Sequence, residues 1–429
     1  MLFNSYEFIF YFLVPVYVFF IFLKKSSLHV NMLIWFLTFV SVVFYGEWSL
    51  KHLGILLVSV FVNFAFAKAL MRKNMGKKRL LGAGIVLNLV PLVYFKIEGS
   101  LPLAISFFTF QQIAFLVDVY KRKIQLEGLR EYSFFVLFFP QLVAGPIVHY
   151  NELIPQIKEN LRRGFHKVYF HKGIVLFSMG LFKKVVLADS LANITADGWA
   201  GLFAYTFKIY FDFSGYTDMA LGLGLLFGVR LPINFNSPYK SVNIVEFWRR
   251  WHITLSHFLR DYIYIPLGGN RAGKLTMLRN LFLTMLLGGA WHGVGWNFVI
   301  WGALHGALLA FVHSFKWQLP KYLAICITFL SVSLLWVFFK SENFSAAMDA
   351  YGMLFRFDTF GAAAGSEMFL LGLSWFIVWF LPNSHAFVRY EEGTAELRLY
   401  HAAVAGVMFF VALKVLAVSP ARTFVYFNF

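Results

Sequence analysis

Residues 211–306 place Asp212, Asp218, Glu246, Arg249, Arg250, His252, Arg260, Asp261, His292 and His305 inside an otherwise very apolar chain. Each such group costs roughly 2.5–3.5 kcal/mol at a membrane helix centre, so it must be paired, face water, or be used. Two of the histidines follow a tryptophan, in Trp251-His252 and Trp291-His292. An imidazole titrates near pH 6.5 when unperturbed, which suits it to take a proton from an attacking hydroxyl. Removal of a proton from a hydroxyl is therefore the chemistry these positions suggest.

The stretch EFWRRWHITLS, residues 246–256, is the densest polar signal. Read as one helix, it pairs Glu246 with Arg250 at i,i+4 and sets Arg249 beside His252 at i,i+3. Ser256 then lies one turn beyond His252. A helix rich in Trp and Arg can also simply rest at the interface and hold phospholipid headgroups. In LLGGAWHG, residues 286–293, glycines flank His292 and permit close approach of backbone or substrate. WGALHG, residues 301–306, repeats the theme more weakly with His305.

Asp212 and Asp218 lie six residues apart, on different helix faces unless Gly215 breaks the helix. Their expected role is to pair with arginines. Gly222, Gly224 and Gly228 imitate a phosphate loop, but no strand precedes them, and close helix packing explains them better. There is no HExxH, and His252 and His257 at i,i+5 splay their rings, so no metal is expected. The single cysteine, Cys326, excludes an intramolecular disulfide.

The elements that must carry these groups are membrane helices. Of 429 residues, 59% are hydrophobic and only 14% charged, against about 25% charged in a soluble domain. The net charge of +17 falls mainly in short loops, where topology and anionic lipid explain it better than nucleic acid does. Apolar runs begin at residues 6–23 and recur to residues 402–418, giving about eleven to fourteen embedded segments, some of them re-entrant. The first run is expected to be retained as a span. Lys24-Lys25, Arg72 to Arg79, and Lys121 to Lys123 each follow a pair of spans, so the amino terminus is expected outside. Residues 140–146 break an apolar run with two prolines, as a kinked helix end or a re-entrant wall. Residues 151–167 read as a surface loop or interfacial helix, and Lys183-Lys184 as a pair that snorkels to an interface. No linker divides the chain, so residues 1–429 are expected to form a single domain with its motif core at 205–310.

FDFSGYTDMALGLG, FWRRWHITLSHFLRDYIYIPLGGNR, RNLFLTMLLGGAWHG and WGALHG, in this order, resemble the membrane-bound O-acyltransferase family, in its bacterial polysaccharide O-acetylation branch. FFPQLVAGPI and the aromatic tail FVYFNF extend the resemblance over most of the chain. It implies an all-α polytopic membrane protein, a ring of about eleven or more transmembrane helices plus re-entrant segments around a central tunnel. It implies acetyl-CoA or a related thioester as cytoplasmic donor, and transfer to a cell-envelope polysaccharide, directly or through a periplasmic SGNH-type O-acetyltransferase. His292 and His252 become the catalytic pair, with Arg249, Arg250, Trp251 and Ser256 near the donor. The expected location is a bacterial inner membrane. The chain is shorter than alginate O-acetylation subunits, around Ser100 and near the end, which favours peptidoglycan as the polymer over alginate or another exopolysaccharide. A glycan or lipid transporter would show an inverted repeat and paired interrupted helices, and the sequence shows neither. A non-catalytic scaffold would tolerate loss of both histidines.

Overall fold

Helices make up the whole architecture of the computed structural model, which describes residues 1–26, 29–72, 75–143, 145–163, 166–315, 319–356, 365–393, 395–419 and 422–428; no strand occurs among them. Lys73, Ala144 and Phe429, which belong to motifs named above, lie outside the described residues. Among the described residues six helices are long and apolar enough to cross a membrane: Glu7–Lys25, Leu50–Arg72, Lys77–Glu98, Trp296–Ser314, Lys321–Lys340 and Leu399–Val418. Val30–Gly46, Ile105–Tyr120 and Gly365–Phe380 are apolar but shorter. Several other apolar runs of the sequence are divided between short helices or carry too many polar groups to count by length and composition.

The chain forms two compact units, each assembled from separate stretches. The first comprises Met1–Phe182, Tyr216–Pro232 and Val388–Phe429. Its core is phenylalanine-rich, with Phe3, Phe8, Phe44 and Phe139 all buried and in mutual ring contact. Here the proline break resolves into two helices, Leu129–Leu137 and the single turn Phe139–Leu142. Pro140 sits in the first turn of the second, where its missing N–H costs nothing. The Phe135 carbonyl, deprived of its helical partner, accepts from the side-chain amides of Gln111, at 2.8 Å, and Gln141. The Phe139 N–H donates to Ser41 Oγ at 3.1 Å instead. Non-helical backbone survives in an apolar setting only with such substitutes.

Other packing in this unit follows the same need. Asn63 and Asn88 exchange amide hydrogen bonds of 3.1 and 2.7 Å between the Leu50–Arg72 and Lys77–Glu98 helices. Gly173 and Gly222 meet so closely that a Cβ on Gly222 would lie 2.6 Å from the Gly173 carbonyl oxygen, which bears out close packing for these glycines. Tyr150–Arg162 is a helix with one buried face, including Leu153, Ile154 and Ile157.

The second unit comprises Lys183–Gly215 and Ile233–Phe387. Gly198–Leu226 is one uninterrupted 29-residue helix, so Gly215 does not break it and the two aspartates stay on different faces. Asp212 pairs not with an arginine but with Lys184, at 2.9 Å, and Lys184 also holds Asp189 at 2.6 Å. The Lys184 side chain is 1% exposed, so it is buried rather than snorkelling. The reason is local: Lys183–Ala188 winds with wider turns than an α-helix. Lys183 meanwhile lies 5.7 Å from the ring centroid of Tyr210.

Lys184→Met leaves the Asp212 carboxylate without its buried cation and is expected to destabilise the protein by about 3–5 kcal/mol. Adding Asp212→Leu should recover much of the loss. Thermal unfolding of the two variants in detergent checks both.

Candidate functional site

The Lys274–His292 and Trp296–Ser314 helices cross at backbone distance, because glycine meets glycine where they touch. A Cβ on Gly289 would lie 2.4 Å from the Phe298 carbonyl oxygen and 2.8 Å from Gly302 Cα. One on Gly302 would lie 2.5 Å from the Met285 carbonyl oxygen, and one on Gly306 2.9 Å from Phe282 Cα. At the other end of the pair, Lys274 Nζ donates to the Ser314 carbonyl at 3.3 Å. Arg271 and Lys274 therefore mark one basic end of the helix pair, with Lys321 soon after Ser314 in sequence.

His292 is the last residue of its helix, about 27 Å from Lys274 by helical rise. It is 3% exposed and ringed by Trp291, Trp301 and Phe339, with centroids 4.7, 5.3 and 5.1 Å away. The end of Lys321–Lys340 closes over this region, since Asn297 Nδ2 donates to the carbonyls of Phe338 at 3.1 Å and Ser341 at 2.6 Å.

The 246–256 stretch is not one helix. It splits into Ile244–Arg250 and Ile253–Leu259, with Trp251 extended and His252 left-handed at φ 44°, ψ 54°. The break separates Arg249 from the helix that follows His252, whereas Ser256 still lies one turn beyond His252 and donates its N–H to the His252 carbonyl at 3.0 Å. A non-glycine residue in that region is strained, and strain of this kind gathers at functional sites. Asn234 holds the strained turn: its carbonyl accepts from Ile253 N–H at 3.0 Å, and its Oδ1 from Thr254 N–H at 3.1 Å and Thr254 Oγ1–H at 3.0 Å.

Those donors identify the Asn234 side-chain atom as the oxygen. His252 Nδ1 lies 3.2 Å from the same oxygen, so Nδ1 carries the proton and Nε2 the lone pair. Burial lowers the pKa of this imidazole and keeps it neutral near pH 7. Phe213 meets its ring edge-on at 4.7 Å.

His305 is organised oppositely. Trp248 Nε1–H donates to its Nδ1 at 3.3 Å, and an indole nitrogen can only donate. The neutral ring then carries its proton on Nε2, leaving no lone pair to act as a base. His305 serves packing among Trp248, Trp301 and Phe247.

The three histidines share one aromatic cluster. Ring contacts lead from His292 to Trp301 at 5.3 Å, to Trp336 at 5.6 Å, and to Trp251 at 5.1 Å, the residue preceding His252. Trp251 is thus a buried wall, stacked on Phe247 at 5.6 Å. Arg250 pairs with Glu246 at 2.6 Å, as the i,i+4 spacing predicts, and Arg249 is exposed. Ser256 Oγ–H reaches the Trp251 carbonyl at 3.4 Å. Asn234, Trp336 and Phe339 escaped sequence reasoning, because nothing in their local spacing separates them from ordinary loop and core residues.

Gly289→Ala forces the two helices apart and is expected to cost about 1–3 kcal/mol, as overpacking does. Asn234→Ala strands the Thr254 N–H and is expected to cost a similar amount, about 1–3 kcal/mol. Calorimetric or denaturant unfolding in detergent checks each.

Residues 198–322 match the model of the membrane-bound O-acyltransferase family. The peptidoglycan O-acetyltransferase of Helicobacter pylori is 42% identical over 377 residues, covering 73% of this chain and 72% of that protein. The probable alginate O-acetylase AlgI of Pseudomonas aeruginosa is 38% identical over 417 residues, covering 87% and 78%. The teichoic acid D-alanyltransferase of Bacillus subtilis is 28% identical over 277 residues, covering 56% and 69%. The matched segment holds all three histidines and the glycine crossing that positions one of them, and with two relatives this similar along most of both chains, the protein belongs to the membrane-bound O-acyltransferase family.

Proposed function

We propose that this protein is a membrane O-acetyltransferase that moves an acetyl group from a cytoplasmic thioester, acetyl-CoA, for O-acetylation of a cell-envelope polysaccharide. Acyl transfer to oxygen is the chemistry of its family, and the two relatives that cover most of the chain are named for acetylation of peptidoglycan and of alginate. Peptidoglycan is the preferred polymer, supported by the 42% identity. Alginate or another exopolysaccharide is the second reading, supported by the longer 87% coverage. The acceptor receives the acetyl group directly or through a periplasmic SGNH-type partner.

The observation that carries the reading is the placement of His292, a buried imidazole at the end of its helix remote from basic Arg271 and Lys274. By the positive-inside rule the basic end faces the cytoplasm of a bacterial inner membrane, and the amino terminus lies outside. His292 then sits toward the outer end of a passage through the helix ring, where an acceptor hydroxyl meets an acetyl group brought from within. Neither unit is one continuous stretch, which supports reading residues 1–429 as one domain.

In the transfer, His292 takes the proton as the hydroxyl oxygen bonds to the thioester carbonyl carbon. The C–S bond then breaks, and the sulfur leaves as a thiol with the proton returned. The carbonyl dipoles at the end of the Lys274–His292 helix favour the positive charge that forms on the ring. Of the two roles expected of His252, orienting the donor and stabilising the oxyanion, its neutral ring supports the first, since Nδ1–H is held by Asn234 and Nε2 carries only a lone pair. Val242 and Ile244 share a cavity with Phe311, Phe315 and Leu319 near the basic end. In this reading the donor enters at the start of the Ile244–Arg250 helix and its phosphates meet exposed Arg249, with Arg250, Trp251 and Ser256 further along the chain.

His292→Ala, reconstituted in liposomes with labelled acetyl-CoA, is expected to lose acetyl transfer by at least about a hundredfold, the scale of a missing general base. It should insert and unfold like the parent. His305→Ala or His305→Asn should reduce activity only in proportion to lost stability. Undiminished polysaccharide acetylation by His292→Ala would refute the catalytic role, and tolerance of the double His292→Ala/His252→Ala variant would favour a scaffold.

A further inference from the structure

Three helices of the first unit, Glu7–Lys25, Lys167–Phe182 and Leu399–Val418, supply most of the walls of a cavity of about 700 Å³. Its described lining residues all belong to that unit. The first helix runs antiparallel to the other two. Near its start Tyr6 Oη–H donates to the Leu413 carbonyl at 2.6 Å and Phe8 meets Phe177 at 6.4 Å, whereas Tyr17 stacks on Phe170 at 5.8 Å. These contacts seat the first helix against both others and leave the hollow between them.

No side chain along the shaft needs water. Ile9, Leu13, Val175 and Phe409 are apolar, and Ser178 Oγ–H is taken by the Ile174 carbonyl of its own helix at 2.9 Å. A sugar or nucleotide there would leave its polar groups unpaired, at a cost that an acyl chain avoids. A Cβ on Gly406 would meet nothing within 4 Å, so the hollow reaches the backbone of its helix.

Charge gathers at one end. Arg398 and His171 line the cavity there, both exposed, and no carboxylate is among the described lining residues. Exposed Lys167 lies one turn before His171, and Lys24 and Lys25 finish the antiparallel first helix at the same end. Glu396 is the acid nearest Arg398 in sequence.

Length adds a second match. From Arg398 to Phe409 the hollow follows its helix for about 16 Å by helical rise, and half the hydrocarbon thickness of a bilayer is about 15 Å. With the basic end on the cytoplasmic side, as proposed above, it runs from headgroup level to mid-membrane. Val14, Ile174 and Gly406 are exposed at its mouth, so a chain can enter sideways from the bilayer.

We propose that this groove binds an anionic phospholipid of the inner leaflet, with an acyl chain along Ile174 and Gly406 and the headgroup phosphate on Arg398 and His171. A guanidinium matches phosphate oxygens bidentately, and an imidazole N–H donates to them in either protonation state. The chain fills the space between three helices and so favours the folded protein. A zwitterionic headgroup carries its own cation and gains less from the basic end.

The test places the full-length protein in phosphatidylcholine nanodiscs doped with phosphatidylglycerol or phosphatidylcholine bearing a photoreactive acyl chain, and maps crosslinks by mass spectrometry. Crosslinks within residues 171–178 and 402–409 should favour phosphatidylglycerol by about fivefold, the gain from one cation beside an anionic headgroup. Arg398→Gln/His171→Gln should remove that preference. Gly406→Phe fills the hollow and should cut groove crosslinks several-fold for both lipids, whereas Gly406→Ala should keep them. Thermal unfolding in detergent gives a second readout: added phosphatidylglycerol should raise the parent's midpoint more than phosphatidylcholine does, and the double variant's midpoint less than the parent's. Equal crosslinking by the two lipids in the parent, or groove crosslinks that survive Gly406→Phe, would mean ordinary annular lipid and overturn the site. A double variant that keeps the parent's lipid preference overturns it as well. Should Gly406→Phe fail to fold, the double variant decides alone, since both of its positions are exposed. None of these readouts needs acetyl transfer, so failure here and failure of the catalytic reading are separate results.

Discussion

The catalytic geometry proposed for this enzyme depends on one contact, the backbone-to-backbone crossing of Lys274–His292 and Trp296–Ser314 at Gly289 and Gly302. Without side chains at the crossing, the first helix can end directly against the second, and His292 emerges among Trp301 and Phe339 instead of facing a gap. In an apolar solvent, helices gain little from burying more apolar surface, so close approach and dispersion hold them together. The same crossing fixes Trp301, whose ring touches both His292 and His305 and stacks on Trp336. A single small-residue contact thus sets the positions of His292 and of its aromatic shell.

A second constraint runs through both units: a polar group removed from water is costly unless it finds a partner. The chain meets it in three ways. A broken helix is patched by Gln111 and Gln141 on the Phe135 carbonyl. Helices are pinned by the reciprocal Asn63–Asn88 amides. A buried cation is neutralised by two carboxylates at Lys184. None of these is a reaction site, yet each is written in the residue types that a search for chemistry would select. Polarity in a membrane chain is thus evidence of necessity before it is evidence of function.

That ambiguity decides what could be read in advance. The helical class, the Glu246–Arg250 pair and the close packing at Gly222 were legible, because composition and local spacing set them. The partner of Asp212 was not, since Lys184 lies 28 residues away and reaches it only through a locally widened helical turn. The break at Trp251-His252 was equally hidden. No glycine or proline marks it, and the left-handed backbone of His252 is imposed by Asn234, 18 residues upstream. Among the described residues six helices satisfy length and composition for a span, and three shorter apolar helices accompany them, so length and composition alone do not count the embedded segments.

Three histidines in similar Trp- and Gly-rich surroundings end with different capacities, and the difference lies in one neighbour each. At His305 an indole N–H occupies the ring's acceptor, so the residue can only donate. At His252 an amide oxygen accepts a hydrogen bond from the ring's Nδ1–H, so the lone pair is left on the opposite nitrogen. At His292 the ring stands at a helix terminus among aromatic edges, where the protein supplies shape and a favourable dipole. Sequence motifs locate imidazoles; the hydrogen-bond donor or acceptor facing each one determines whether it can take a proton. An aromatic shell cannot itself exchange protons, so a cluster of this kind keeps the acid–base chemistry of its histidines separate while holding them in one rigid wall.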